Sequence, residues 1–176
     1  RAVVFIDNTS PMVLDAAKLP VAEPETYAVL ENATGDVLPK YTIVDGRVVA
    51  DQAYYRSKAL SEVTLPQGIE EIGQFAFARS SLTGITIPEG VKTICYGAFY
   101  HCDNLQEVIL PASIENIEPK AFAFTGWMEQ FRHSGAEFLI SGNVLVAYQG
   151  SDTQIIIPDG VTVVAAQAFA GNSWLE

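Results

Sequence analysis

The sequence predicts a β-dominated solenoid: short parallel strands stacked unit upon unit, with little helix. Three observations carry this. First, apolar runs end in a proline at Pro66, Pro88, Pro111 and Pro158, with gaps of 22, 23 and 47 residues. Second, an Ala-Phe pair recurs at Ala76-Phe77, Ala98-Phe99, Ala121-Phe122 and Ala168-Phe169, with the same gaps, 47 being two periods. Third, apolar and polar residues alternate inside each run, the period of two that a half-buried strand requires. Two independent markers in one register indicate an internal repeat of the kind that builds stacked arrays.

The first segment, residues 1–37, lies outside the repeat. "AVVFID" reads as a strand and "EPETYAVLEN" as a short helix with Pro24 near its start. An array needs an end that is not another sticky repeat face, so this segment is expected to be an irregular N-terminal cap or the remnant of a preceding segment. From 38 to 176 the chain divides into about five units of 22–24 residues plus the start of another at Leu175. The earliest, 38–59, places Leu38, Tyr41 and Ile43 at strand positions, with Ala53-Tyr54 in place of Ala-Phe. The units that follow start at Leu60, Leu82, Leu105, Met128 and Asp152.

Within "LTGITIPEGVKTICYGAFYHCD" Leu82, Ile85 and Ile87 should point inward and Gly84 and Thr86 outward. Pro88 should stop the strand by removing a donor. Val91 and Ile94 should mark a second short strand, and Phe99 should plug the interior after the chain turns. A lone unit cannot bury its apolar face, whereas stacked units share strand hydrogen bonds and bury both faces. The unit at 128–151 lacks both Pro and Ala-Phe, yet the register persists through it. There Gly142-Asn143 separates "FLIS" from "VLVAY", a hairpin signal. Trp127 and Phe131 beside it are either a second candidate site or the filling of the space left by the missing Phe plug. The chain begins at Arg1 instead of Met and its last residues, Trp174 and Leu175, open a new unit. The expectation is a trimmed piece of a longer protein, or a stack that these two residues close.

The unit L-x-x-[IV]-x-[LI]-P-x-x-[IV]-x-x-I-x-x-x-A-F-x-x-C resembles the leucine-rich repeat of BspA-type bacterial surface antigens over residues 38–176. Cys102 stands at the family's cysteine position, three after the Phe; Ser57, Ser80, Thr125 and Asn172 hold it elsewhere. The departures are the unit at 128–151 and the aromatic pair Tyr54-Tyr55. The resemblance implies an α/β leucine-rich-repeat, right-handed solenoid, an exported or cell-surface bacterial protein, and adhesion or protein binding without catalysis or cofactor.

Composition narrows the partners. Ten basic residues stand against 21 acidic ones in 176, a net charge of −11, which disfavours nucleic acid. No apolar run approaches the length of a membrane span, so no membrane insertion is expected. Two cysteines are too few for a disulfide scaffold.

The candidates for chemistry are weak. His101-Cys102-Asp103 are adjacent, but neighbours on a turning chain rarely converge, and Cys102 sits at an interior position. Cys95 and Cys102 could pair, although they follow different parts of the unit. His133 with Glu129 or Glu137 lacks metal-ligand spacing. The carboxylates Glu70-Glu71 and Glu115 to Glu118 could in principle serve a glycosidase. They recur at the same unit positions, as solvent-facing slots would. Asn8-Thr9-Ser10 and Asn32-Ala33-Thr34 are formal glycosylation sequons. No catalytic, metal or cofactor site is assigned.

The repeated residues face inward, so specificity must lie in those that vary. Outward strand positions are expected to stack into two columns. One is Lys40, Glu62, Gly84, Glu107, Gln130 and Gln154; the other is Thr42, Thr64, Thr86, Ile109, Arg132 and Ile156. The candidate ligand face comprises Glu62, Thr64, Thr86, Glu107, Ile109, Gln130, Arg132, Gln154 and Ile156, with Ile109 and Ile156 as exposed apolar groups. The expected function is a non-catalytic binding module for a protein or glycan, monomeric or weakly dimeric end to end. A spacer in a larger surface protein is the first alternative and a carbohydrate-active enzyme the second.

Overall fold

Leu60, Leu82 and Leu105 open three successive units and all three are fully buried. The computed structural model describes residues 52–172 apart from residues 59 and 66, together with six two-residue strands nearer the N-terminus. Those six are β1 (Val3–Val4), β2 (Met12–Val13), β3 (Leu30–Glu31), β4 (Val37–Leu38), β5 (Ile43–Val44) and β6 (Val48–Val49). Then come β7 (Glu71–Ile72), β8 (Gly84–Thr86), β9 (Thr93–Ile94), β10 (Glu107–Ile109) and β11 (Asn116–Ile117). Among the described residues one helix, α1 (Gly126–Ser134), precedes β12 (Phe138–Ser141), β13 (Val144–Tyr148) and β14 (Val163–Val164).

Each unit contributes to two parallel columns. In the first, β8 pairs with β10 with Ile85 opposite Val108, both buried, while Thr86 and Ile109 face solvent. In the second, β6, β7, β9 and β11 pair in parallel at successive one-unit steps, with β5 folded back against β6 as a hairpin. Ile72, Ile94 and Ile117 project from this column into the core. The turn that follows is tied to the next turn by its backbone: Tyr54 N–H donates to Ala76 O, Phe77 N–H to Ala98 O and Phe99 N–H to Ala121 O, at 2.6 to 2.8 Å.

The Phe of each turn fills the interior as expected. Tyr54, Phe77, Phe99 and Phe122 form one stack with centroids 5.1, 5.3 and 5.2 Å apart and ring planes within 10° of parallel. Tyr54 is therefore the plug of its turn, and Tyr55 lies outside the core. Beside the stack runs an interior slot of small polar side chains. Cys102 Sγ donates to Phe77 O at 3.0 Å and lies 3.4 Å from Ser80 Oγ, while Thr125 Oγ1 donates to Phe122 O at 2.9 Å.

Three expectations are corrected. Residues 128–134, read as the strand half of a unit, are helical. Thr125 caps the helix by accepting from Met128 N at 3.2 Å, Gly135 ends it at φ 74°, and no β-branched residue intervenes. Leu30–Glu31, placed in a helix, pair antiparallel with Val37–Leu38, so their backbone groups bond across strands. The rest of that proposed helix lies outside the described residues. Residues 154–157 form no strand; α1 replaces the strand that would have been their neighbour in the column.

The hairpin at Gly142-Asn143 forms as the sequence indicates, with Gly142 at φ 59° between antiparallel β12 and β13. β13 then pairs in parallel with β14, and Tyr148 N–H donates to Ala168 O, so Tyr148 resumes the plug position. The units on either side of this segment also touch directly. Ala166 N–H donates to Ile117 O at 3.0 Å and Lys120 N–H to Gln167 Oε1 at 2.9 Å.

Candidate ligand-binding face

The strand column that should carry specificity is best formed between residues 61 and 109. Thr83 N–H donates to Ser61 O and Gln106 N–H to Thr83 O, both at 2.9 Å, so three units follow one another in the same register. Alternation puts Val63, Ile85 and Val108 toward the core and Glu62, Thr64, Thr86, Glu107 and Ile109 toward solvent. A shallow depression of about 500 Å³ opens on this face, lined by Glu62, Thr64, Gly84, Thr86 and Glu107 among others. Gly84 deepens it: a Cβ there would meet nothing closer than 3.8 Å. Among the described residues, the lining offers two carboxylates and several threonine hydroxyls and no lysine or arginine.

The sequence over residues 47–176 matches the family model described as the BspA type leucine rich repeat region, in six copies. The chain belongs to the BspA-type leucine-rich repeat family. No curated protein matches it. Among solved structures, it is similar to the pneumococcal vaccine antigen PcpA, with 17% identity and a TM-score of 0.46 over 79% of this chain and 30% of that one. A leucine-rich repeat protein from Bacteroides ovatus is 19% identical, with a TM-score of 0.38 over 83% of this chain and 43% of that one. A leucine rich cell surface protein from Faecalibacterium prausnitzii is 17% identical, with a TM-score of 0.38 over 100% of this chain and 54% of that one. The chain thus spans 30 to 54% of the length of these proteins.

Measured against this BspA-type repeat, the predicted face divides. Glu62, Thr64, Thr86, Glu107 and Ile109 share one surface; Lys40 and Thr42 lie outside the described residues. Gln130 and Arg132 sit on α1 instead of on a strand, and Arg132 Nη1 bonds Glu129 Oε2 at 3.0 Å. Gln154 and Ile156 are exposed on an irregular segment, Ile156 to 89%. Ile109 is 49% exposed. Trp127 and Phe131 pack inward: Trp127 meets the Phe122 ring edge-on at 5.3 Å and Phe131 is buried.

Several of the weaker chemical candidates have structural occupations, and the sequons at Asn8 and Asn32 lie outside the described residues. Cys95 and Cys102 are buried and not joined by a disulfide. His101 Nδ1 lies 3.2 Å from Asp103 Oδ1 while Cys102 points into the interior slot, so the three do not converge. His133 contacts the carbonyl and carboxylate of Glu129 one helical turn earlier. Glu118 Oε2 accepts from Tyr96 N at 2.7 Å, and Glu115 lies 3.9 Å from Lys92.

What the sequence reading missed is on the turns. Four successive turns each hold two residues in the left-handed region, two before and two after the plug: Gln52 and Arg56, Phe75 and Arg79, Gly97 and His101, Lys120 and Phe124. The signal was present in Gly97 and Gly171, which stand at those two offsets. Aromatic and cationic side chains at the other slots gave no hint of backbone conformation.

Proposed function

We propose that the chain is a non-catalytic binding module of an exported bacterial cell-surface protein, and that it recognises a protein or glycan through its strand face. The observation that carries this reading is the depression between Glu62, Thr64, Thr86 and Glu107. It is a concave surface built from the variable residues of three units on an in-register strand column. Family membership supports it, and within this chain the residues repeated from unit to unit lie in the core while these positions vary. The acid and hydroxyl lining favours a basic peptide segment or the hydroxyls of a neutral glycan.

The test is a binding screen of the purified chain against extracellular-matrix proteins and a glycan array, run beside the Thr86→Arg/Ile109→Arg double variant. Both positions are solvent-facing, so circular dichroism should show the variant folded. A specific partner lost in the variant supports the strand face. A specific partner retained by the folded variant rejects it.

A further inference from the structure

The turns carry a second surface of opposite chemistry. Phe75 packs edge-on against Tyr96 at 5.4 Å and Tyr100 at 6.3 Å, crossing the bare Gly97. Tyr100 meets Phe124 at 5.5 Å, and Phe124 stacks on His101 at 4.6 Å. Cations sit over these rings: Arg79 over Tyr100 at 6.0 Å and Lys120 over Tyr96 at 5.6 Å, with Arg56 over Tyr55 at 5.2 Å one unit earlier. Phe124 is 49% exposed and Tyr55 39%.

Two features set this edge apart from an ordinary solvated surface. The first is backbone strain. Arg56, Arg79, His101 and Phe124 occupy the same slot after the plug with φ of 56 to 59°, where Gly171 sits in a later unit. A left-handed non-glycine residue costs on the order of 1 kcal/mol. The turn accepts glycine there, so four large side chains are kept against that cost. The second is charge. Among the described residues, two cations away from this edge are paired, Lys92 with Glu115 and Arg132 with Glu129. Among the described residues no carboxylate lies within ion-pair distance of Arg56, Arg79 or Lys120. Two acids touch the cluster: Asp103 lies against His101 at its end, and Glu118 Oε2 accepts from the Tyr96 N–H. Hydrogen bonding to the Tyr96 hydroxyl holds the Lys120 ammonium above its ordinary value.

We propose that this turn edge binds an acidic polysaccharide laid across successive units, its carboxylates or sulfates on Arg56, Arg79 and Lys120 and its pyranose faces on the exposed rings. The electron-poor C–H face of a pyranose complements the negative face of an aromatic ring. Units follow one another at the 5.1 to 5.3 Å spacing of the plug rings, comparable with the advance of one pyranose along a chain. A nucleic acid also stacks its bases on rings, and the oligo-dT arm of the experiment separates it from a polysaccharide. The edge is separate from the strand face, so this inference does not depend on that reading.

The experiment measures retention of the full chain on immobilised heparin oligosaccharide, polygalacturonate, neutral dextran and oligo-dT. The first two separate sulfate from uronate as the anion. Retention on one or both acidic chains, absent on dextran and falling with salt, is the expected result. The Arg56→Gly/Arg79→Gly variant should lose at least tenfold in affinity while its melting temperature stays level or rises, because glycine removes the strain. A merely structural edge would instead lower the melting temperature. The Arg56→Gln/Arg79→Gln variant keeps the side-chain stems and should show the same loss. No retention on either acidic chain, equal retention on dextran, tighter binding to oligo-dT, or undiminished binding in either variant overturns the proposal.

Discussion

Phe99→Ala should be among the most damaging single substitutions, and its effect should reveal how the stack holds together. Phe99 is fully buried between Phe77 at 5.3 Å and Phe122 at 5.2 Å, with both ring pairs 3° from parallel. Truncating a buried Phe costs about 3–5 kcal/mol, and each aromatic pair adds about 0.5–1.5 kcal/mol beyond its buried area. A marginally stable domain cannot absorb a loss near the upper figure. The decisive measurement is a pair of double-mutant cycles by urea unfolding, using Leu at each site so that the variants stay folded. Phe77 and Phe99 touch, so Phe77→Leu and Phe99→Leu should couple by about 1 kcal/mol. Phe77 and Phe122 stand two units apart with Phe99 between them, so their coupling should fall within about 0.5 kcal/mol of zero. Equal coupling in both cycles would refute nearest-neighbour stacking as the organising interaction.

Other outcomes follow from single contacts. Gly97→Val should destabilise by about 2 kcal/mol or more in thermal unfolding, because a Cβ would come 2.6 Å from the Phe75 ring at a φ of 62°. Gly84→Ala should stabilise by about 0.5 kcal/mol in urea, since its Cβ has room and alanine loses less backbone entropy. Thr125→Ala should cost about 1–2 kcal/mol by removing the α1 cap and the buried bond to Phe122 O, with the loss read from urea unfolding. Burial pushes the Cys102 thiol above its ordinary value of 9.0, partly opposed by hydrogen bonding to Ser80. The folded state therefore holds that proton more tightly than the unfolded one. This contribution is constant below the ordinary thiol range and is lost as pH rises through it, by at most about 1.4 kcal/mol per pH unit. The difference in unfolding free energy between wild type and Cys102→Ser should be constant below that range and shift against wild type as pH rises through it; a constant difference up to pH 10 would refute the assignment.

The repeat architecture was legible because it is written in the core. Leu60, Leu82, Leu105 and the Phe plugs recur where one buried environment recurs, and that environment tolerates few side chains. The outward column was equally legible between Glu62 and Ile109, where strict alternation follows from paired strands. It failed at Gln130 and Arg132 because the spacing of Trp127, Met128 and Phe131 was read in the repeat's register instead of the helix's. The signals for α1 were local: a Thr N-cap and a glycine end. The turn edge was invisible to pattern reading for another reason. Its left-handed slots are imposed by the stacking of neighbouring turns, and a residue such as Arg79 or Phe124 carries no trace of that demand in its own propensities.

Most bonds between units close a loop of only 22 to 25 residues, whether made by Thr83, Ser113, Tyr96 or Cys102. Growth of the array by such steps leaves the separation of interacting residues unchanged, so folding speed should depend little on how many units are joined. The bond from Lys120 N–H to Gln167 Oε1 breaks that rule by spanning 47 residues. It can close only after α1 and the β12–β13 hairpin are in place. The chain should therefore zip through its regular units and wait at this junction, making residues 117–120 and 166–167 a late checkpoint of assembly.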